Sequence, residues 1–173
     1  MAHRTTWLRS DFDNKLKKVA EILKDKKLTI STAESCTGGL LASRLTDIPG
    51  SSQYLNESHV VYANTAKQRY LGVKEETLKN FGAVSSQCAF EMAEGLKKLT
   101  NADVCVCTTG IAGPGAESTE KPAGLIYISV NFLNSITVRE FRLSSFHKRK
   151  NMKFLFTEKA LSLVYEVLLS HYS

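Results

Sequence analysis

No apolar run in the 173 residues approaches the roughly 20 that a membrane-spanning helix needs. The opening MAHRTTWLRSDFDNK has no apolar signal-peptide core, and Asp11 and Asp13 argue against a transit sequence. Cysteine is scarce: there are four, Cys36, Cys88, Cys105 and Cys107, and no two form a C-x-x-C pair. The four histidines, His3, His59, His147 and His171, are scattered without H-E-x-x-H or comparable ligand spacing. These absences argue against a disulfide scaffold and a structural zinc site, and the sequence reads as a reduced, cytoplasmic protein with no metal and no cofactor. No repeat, linker or low-complexity tract divides the chain, which reads as a single domain over residues 1–173. Charge is present but dispersed. The formal net charge is +6, and part of the excess sits in His147-Lys148-Arg149-Lys150, which reads as a solvated helix start. Aromatic residues are not interleaved with it, as a nucleic-acid surface would require. The expected partner is therefore a small molecule, with neither nucleic acid nor membrane.

What is present is an alternation of periods. Phe12, Leu16, Val19, Ala20 and Leu23 recur at helical spacing, so residues 11–26 read as an amphipathic helix. A short strand is expected at 28–32, a helix at 38–47, and a second strand at 58–63 (SHVVYA). Two short helices follow, one through Tyr70 and one through Lys79, and a clear helix runs from Ser85 to about Leu99. Asp103–Thr109 (DVCVCTT) is compact and rich in β-branched residues, as in a central strand buried on both faces. Gly110–Pro122 is a loop. Residues 124–132 and 135–143 are two strands joined at Leu133-Asn134 as a hairpin, and a last helix spans 148–171. This order implies an α/β fold, a mixed sheet with helices on both faces. In such sheets ligands bind at the carboxyl ends of the parallel strands. The loops 33–39, 64–67 and 110–122 are therefore expected to converge.

Each loop carries candidate chemistry. TAESCTGG, Thr32 to Gly39, places hydroxyls and two glycines where a strand enters a helix. Free amides there suit an anion or an oxyanion, and they equally suit an ordinary helix cap. The segment is neither a G-x-S-x-G nucleophile elbow nor a phosphate loop, because no lysine follows the glycines. In the second loop Tyr62 and Lys67 are five residues apart. With no histidine near any of these motifs, they are the base candidates for a serine, and a lysine serves only if burial and neighbouring positive charge lower its pKa. In the third, Thr108-Thr109-Gly110-Ile111-Ala112-Gly113-Pro114-Gly115 lacks the G-x-G-x-x-G order of a dinucleotide site, yet lets a ligand approach the backbone. Residue chemistry alone leaves site and tight turn both open at each loop.

TAESCTGG, IPGSSQYLNESHVVYANTAKQRYLGV, FGAVS with EMAEGL, TTGIAGP and KPAG together resemble the CinA C-terminal domain family, also known as PncC-type nicotinamide-nucleotide amidohydrolases. The resemblance runs from about Leu28 to Val130. It implies a three-layer α/β/α sandwich with a mixed, mostly parallel five-stranded sheet and one antiparallel strand. It also implies a stand-alone form without the family's N-terminal domain, and deamidation of nicotinamide mononucleotide to nicotinate mononucleotide and ammonia. On that resemblance Ser35 is the nucleophile, Lys67 its base and Tyr62 a proton relay. The oxyanion is held by amides around Gly38 and Gly39 or by the Gly110 loop. Glu34, Thr37, Asn64, Thr109, Ala112, Gly113 and Arg149 complete the substrate-binding set, with Glu34 orienting its loop through backbone amides. Cys36 competes with Ser35 as nucleophile, but nothing nearby in sequence supplies the positive charge to activate it. The chain departs from the family pattern at Gly115-Ala116-Glu117-Ser118-Thr119, where a Gly-Gly pair is usual, and at His147-Lys148, where Gly-Asp is usual. The altered loop keeps open a non-catalytic relative that binds a nucleotide or protein partner. Modest size and an exposed hairpin edge allow a homo-oligomer.

Overall fold

A computed structural model describes residues 3–172. Helix α1 (His3–Asp25) precedes strand β1 (Ile30–Glu34), helix α2 (Leu40–Thr46), a 3-10 turn at Ser51–Gln53, and strand β2 (Leu55–Val60). Helices α3 (Asn64–Leu71), α4 (Glu75–Phe81) and α5 (Ser86–Thr100) follow. Strands β3 (Val104–Gly110), β4 (Leu125–Phe132) and β5 (Ser135–Arg142) and helix α6 (Arg149–Tyr172) complete the chain. The sheet order is β2-β1-β3-β4-β5. β1 is parallel to both neighbours, β4 is antiparallel to β3, and β5 is antiparallel to β4. One strand of five, β4, therefore runs against the rest, as expected.

Alternation along the strands separates two cores. Ile30, Val104, Val106, Ile126, Ile128 and Val130 pack with Leu16, Val19 and Leu23 of α1 and Phe156, Leu161 and Val164 of α6. Ala33, Cys105 and Cys107 face the other way, onto Cys88, Met92, Ala93 and Leu96 of α5 and Leu71 at the end of α3. All four cysteines are buried and free. Gly95 lets α5 approach α3 closely: a Cβ there would lie 1.8 Å from the Leu71 carbonyl oxygen. The hairpin turn has positive φ at both Leu133 and Asn134, 52° and 63°, the backbone of a two-residue turn that matches strand twist.

Two strands differ in their bounds from the sequence expectation. β1 ends two residues later than expected, so Ala33 and Glu34 are strand and the first loop is only Ser35–Gly39. The second strand runs three residues earlier, and Val61 and Tyr62 lie beyond it. The apolar Val60-Val61-Tyr62 run invites a strand, but β2 is an edge strand with a mostly exposed, polar sequence whose register is set by β1. Helix α3 opens on Asn64, with Ala63 in the capping position.

Candidate active site

The chain goes from β1 out to β2 on one side and returns to β3 on the other, so the sheet reverses direction at the carboxyl end of β1. Crevices at such reversals receive ligands. A cavity of about 480 Å³ opens there, and all three anticipated loops line it: Ser35 and Cys36, Tyr62, Asn64 and Lys67, and Thr109 to Gly113, with Arg149 joining from the start of α6.

Strand alternation sorts the first loop. Glu34 points to the α2 side, where its carboxylate accepts from the amides of Gly39 (3.0 Å), Leu41 (3.0 Å) and Ala42 (2.8 Å). Those are free amides of a helix N-terminus, whose dipole favours an anion. Ser35, the next residue, points to the α3 side. Its amide donates to the Thr108 carbonyl at 3.0 Å, and the Glu34 carbonyl accepts from Val61 at 2.9 Å, extending the ladders past the strand end.

Lys67 meets Ser35 there. Its Nζ lies 3.0 Å from Ser35 Oγ, 3.0 Å from the Val61 carbonyl oxygen and 3.1 Å from that of Tyr62. The lysine is 1% exposed and the serine 8%. Among the described residues no carboxylate lies within ion-pair distance of Lys67, and burial lowers its pKa from the ordinary lysine value. In the neutral amine two hydrogens serve the two carbonyls, and the remaining lone pair is aimed at the Ser35 hydroxyl. Burial alone supplies the shift, and the neighbouring positive charge expected beside it does not contribute.

Cys36 also borders the cavity, but burial pushes its thiol up to about 12, and Thr108 is its hydrogen-bond partner. A thiol so raised is not a thiolate at neutral pH. Cys88, near Lys67, is likewise pushed up to about 11 by burial.

The remaining residues divide. Thr109 Oγ1 donates to the Ala83 carbonyl at 2.7 Å. Arg149 donates to the Gly113 carbonyl at 2.6 Å and to the Tyr62 hydroxyl at 2.8 Å. Tyr62 is 59% exposed. It meets Lys67 through its carbonyl, while its hydroxyl engages Arg149, a geometry different from a direct relay between Ser35 and Lys67. Glu34, Thr37, Gly38 and Gly39 do not line the cavity. Thr37 is buried against Thr108, their hydroxyls 2.8 Å apart. The Gly38 amide is taken by the Ser35 carbonyl and the Gly39 amide by Glu34, so neither is free for an oxyanion. The amides of Cys36 and Ala112 donate to no carbonyl among the described residues. Ala83 and Val84 line the cavity without having been singled out, and so do Ile111, Gly115, Ala116 and Glu117, which the sequence reading named only as parts of the third loop. For Ala83 and Val84 the signal was the FGAVS segment, which carried part of the family resemblance but was assigned no role.

A family model described as the CinA C-terminal domain matches residues 13–168. The chain belongs to the CinA C-terminal domain family. It is 48% identical over 153 residues to a CinA-like protein of Chlorobium phaeobacteroides, covering 87% of this chain and 36% of that protein. To a CinA-like protein of Thermotoga maritima it is 48% identical over 128 residues, 73% of this chain and 31% of that one. The chain thus spans about a third of the length of the curated relatives it matches. Among solved CinA-family structures, the competence/damage inducible protein CihA from Agrobacterium tumefaciens superposes with a TM-score of 0.86 at 39% identity, over 91% of this chain and 95% of that one. The competence damage-inducible protein A (ComA) from Klebsiella pneumoniae gives 0.88 at 28% identity, over 94% and 99%. No helix among the described residues is long and apolar enough to cross a membrane.

Proposed function

We propose that this CinA-family chain is an amidohydrolase that converts nicotinamide mononucleotide and water to nicotinate mononucleotide and ammonia. The observation that carries the reading is the Lys67 Nζ–Ser35 Oγ contact of 3.0 Å, made by a buried lysine without a carboxylate partner at the mouth of a cavity. A structural lysine in the core is ordinarily ion-paired, and an unpaired one whose pKa is lowered is what a general base requires.

Neutral Lys67 takes the Ser35 proton as Oγ attacks the carboxamide carbon. The carbonyl oxygen becomes an oxyanion, for which amides of the cavity wall without a carbonyl partner, such as that of Ala112, are the candidate donors. The Lys67 ammonium returns the proton to the departing nitrogen, and ammonia leaves a seryl ester. Water, deprotonated by the same amine, then attacks the ester and releases the carboxylate and Ser35. Arg149 retains N–H groups beyond its two fixed bonds, and its planar fork suits the phosphate. Tyr62 and Gly113 orient that guanidinium, so the tyrosine positions rather than relays.

The test is incubation of the purified protein with nicotinamide mononucleotide, reading ammonia and the nucleotide product together. Equal amounts of ammonia and nicotinate mononucleotide are expected. Tight binding of the nucleotide without either product would instead favour the non-catalytic reading, and neither binding nor turnover would require another substrate.

A further inference from the structure

Glu117 is the one carboxylate in the cavity wall among the described residues, and the chemistry above does not use it. It stands in the segment where the chain departs from the family pattern. The segment is nonetheless fixed. The Glu117 amide donates to the Lys121 carbonyl at 3.0 Å, and Lys121 Nζ donates to the Phe81 carbonyl at the end of α4 at 2.7 Å. Lys121 Nζ is 3.8 Å from Glu117 Oε1, an ion pair but too long for a hydrogen bond. The Glu117 carboxylate, half exposed, therefore keeps its acceptor capacity for a ligand. Arg149 brings a cation to the same wall from α6, tethered to Gly113 and Tyr62. When Lys67 is neutral, the cavity wall presents one tethered cation, Arg149, and one carboxylate, Glu117, whose charge Lys121 offsets in part. The complement is a ligand with an anionic group and a separate cation.

Resting on the amidohydrolase reading, the substrate is such a ligand, with an anionic phosphate at one end and a pyridinium ring at the other. Hydrolysis turns the ring's neutral carboxamide into a carboxylate, so the ring end passes from cationic to net neutral. We infer that Glu117 is a specificity-determining residue that attracts the cationic ring of the amide substrate and disfavours the ring carboxylate of the product. The same side chain thereby assists product departure.

Calorimetry on Ser35→Ala protein, which binds without turnover, tests this with three ligands: nicotinamide mononucleotide, its 1,4-dihydro form with a neutral ring, and nicotinate mononucleotide. Glu117→Gln in that background is expected to weaken the first about fivefold, the scale of a half-exposed charge pair. It should leave the second unchanged and tighten the third. Equal weakening of all three, or the same pattern from Lys121→Met, would mean that loop shape and not charge is responsible, and would overturn the inference. Failure of all three ligands to bind Ser35→Ala protein would overturn the amidohydrolase reading itself, and the inference with it.

Discussion

Lys67 surrounds one nitrogen with a hydroxyl and two carbonyls and gives it no anion, so its protonation state controls the proposed reaction. Burial lowers its pKa below the ordinary 10.5. The active neutral form therefore accumulates as pH rises through that lowered value. The rate of ammonia release is expected to rise with pH and level off at an apparent pKa below 10.5, and a pH–rate profile checks it. Lys67→Arg should be inactive throughout, because a guanidinium does not deprotonate. The sequence pointed to Ser35 and Lys67 through the family motifs. It could not show that the Tyr62 hydroxyl turns to Arg149, because that depends on where α6 begins in space, 87 residues away. Nor could it show that Glu34 consumes the Gly39 amide, since TAESCTGG reads the same whether its glycines face a ligand or a carboxylate.

At the level of elements, two contacts place the pair. The Glu34 carboxylate binds three amides at the start of α2. Glu34→Gln exchanges charge-assisted bonds for weaker ones and leaves a donor facing donors, at a cost of about 3 kcal/mol, read as a lowered midpoint in denaturant unfolding. Gly95 sits against the end of α3. Gly95→Ala would drive a methyl into the Leu71 carbonyl and should cost about 1–3 kcal/mol. It should also slow ammonia release, because α3 carries Lys67. The strong period of α5 and the apolar runs of β3 and β4 were legible. β2 was displaced because an edge strand takes its register from its partner; just past it Val61 is buried and still donates to the Glu34 carbonyl, while Tyr62 is exposed.

For the whole molecule, the layers on one face are joined through Arg44, which bonds Asp13 of α1 and Asp47 beyond α2 at 2.8 Å and Glu158 of α6 at 3.0 Å. Glu158 is buried, and that burial raises its pKa despite Arg44. A carboxyl raised on folding contributes stability that is present at low pH and lost as pH rises through its folded value. Arg44→Met would raise it further. The variant is expected to lose about 3 kcal/mol, with a larger drop in Tm at about pH 8 than at about pH 5, as melts at both pH values would show. The order of strands and helices, and with it the meeting of three loops at one sheet edge, was readable from alternating periods. The Arg44 network was not, because it joins residues up to 114 positions apart whose types are ordinary on any surface.

The central claim is that Ser35, activated by Lys67, attacks the carboxamide. The most direct measurement compares ammonia release from nicotinamide mononucleotide by the wild type, Ser35→Ala and Cys36→Ala. A loss of about 10³-fold or more in Ser35→Ala, with less than about tenfold in Cys36→Ala, is the predicted result. Comparable rates for wild type and Ser35→Ala, with the loss falling on Cys36→Ala, would contradict it and move the nucleophile to the thiol.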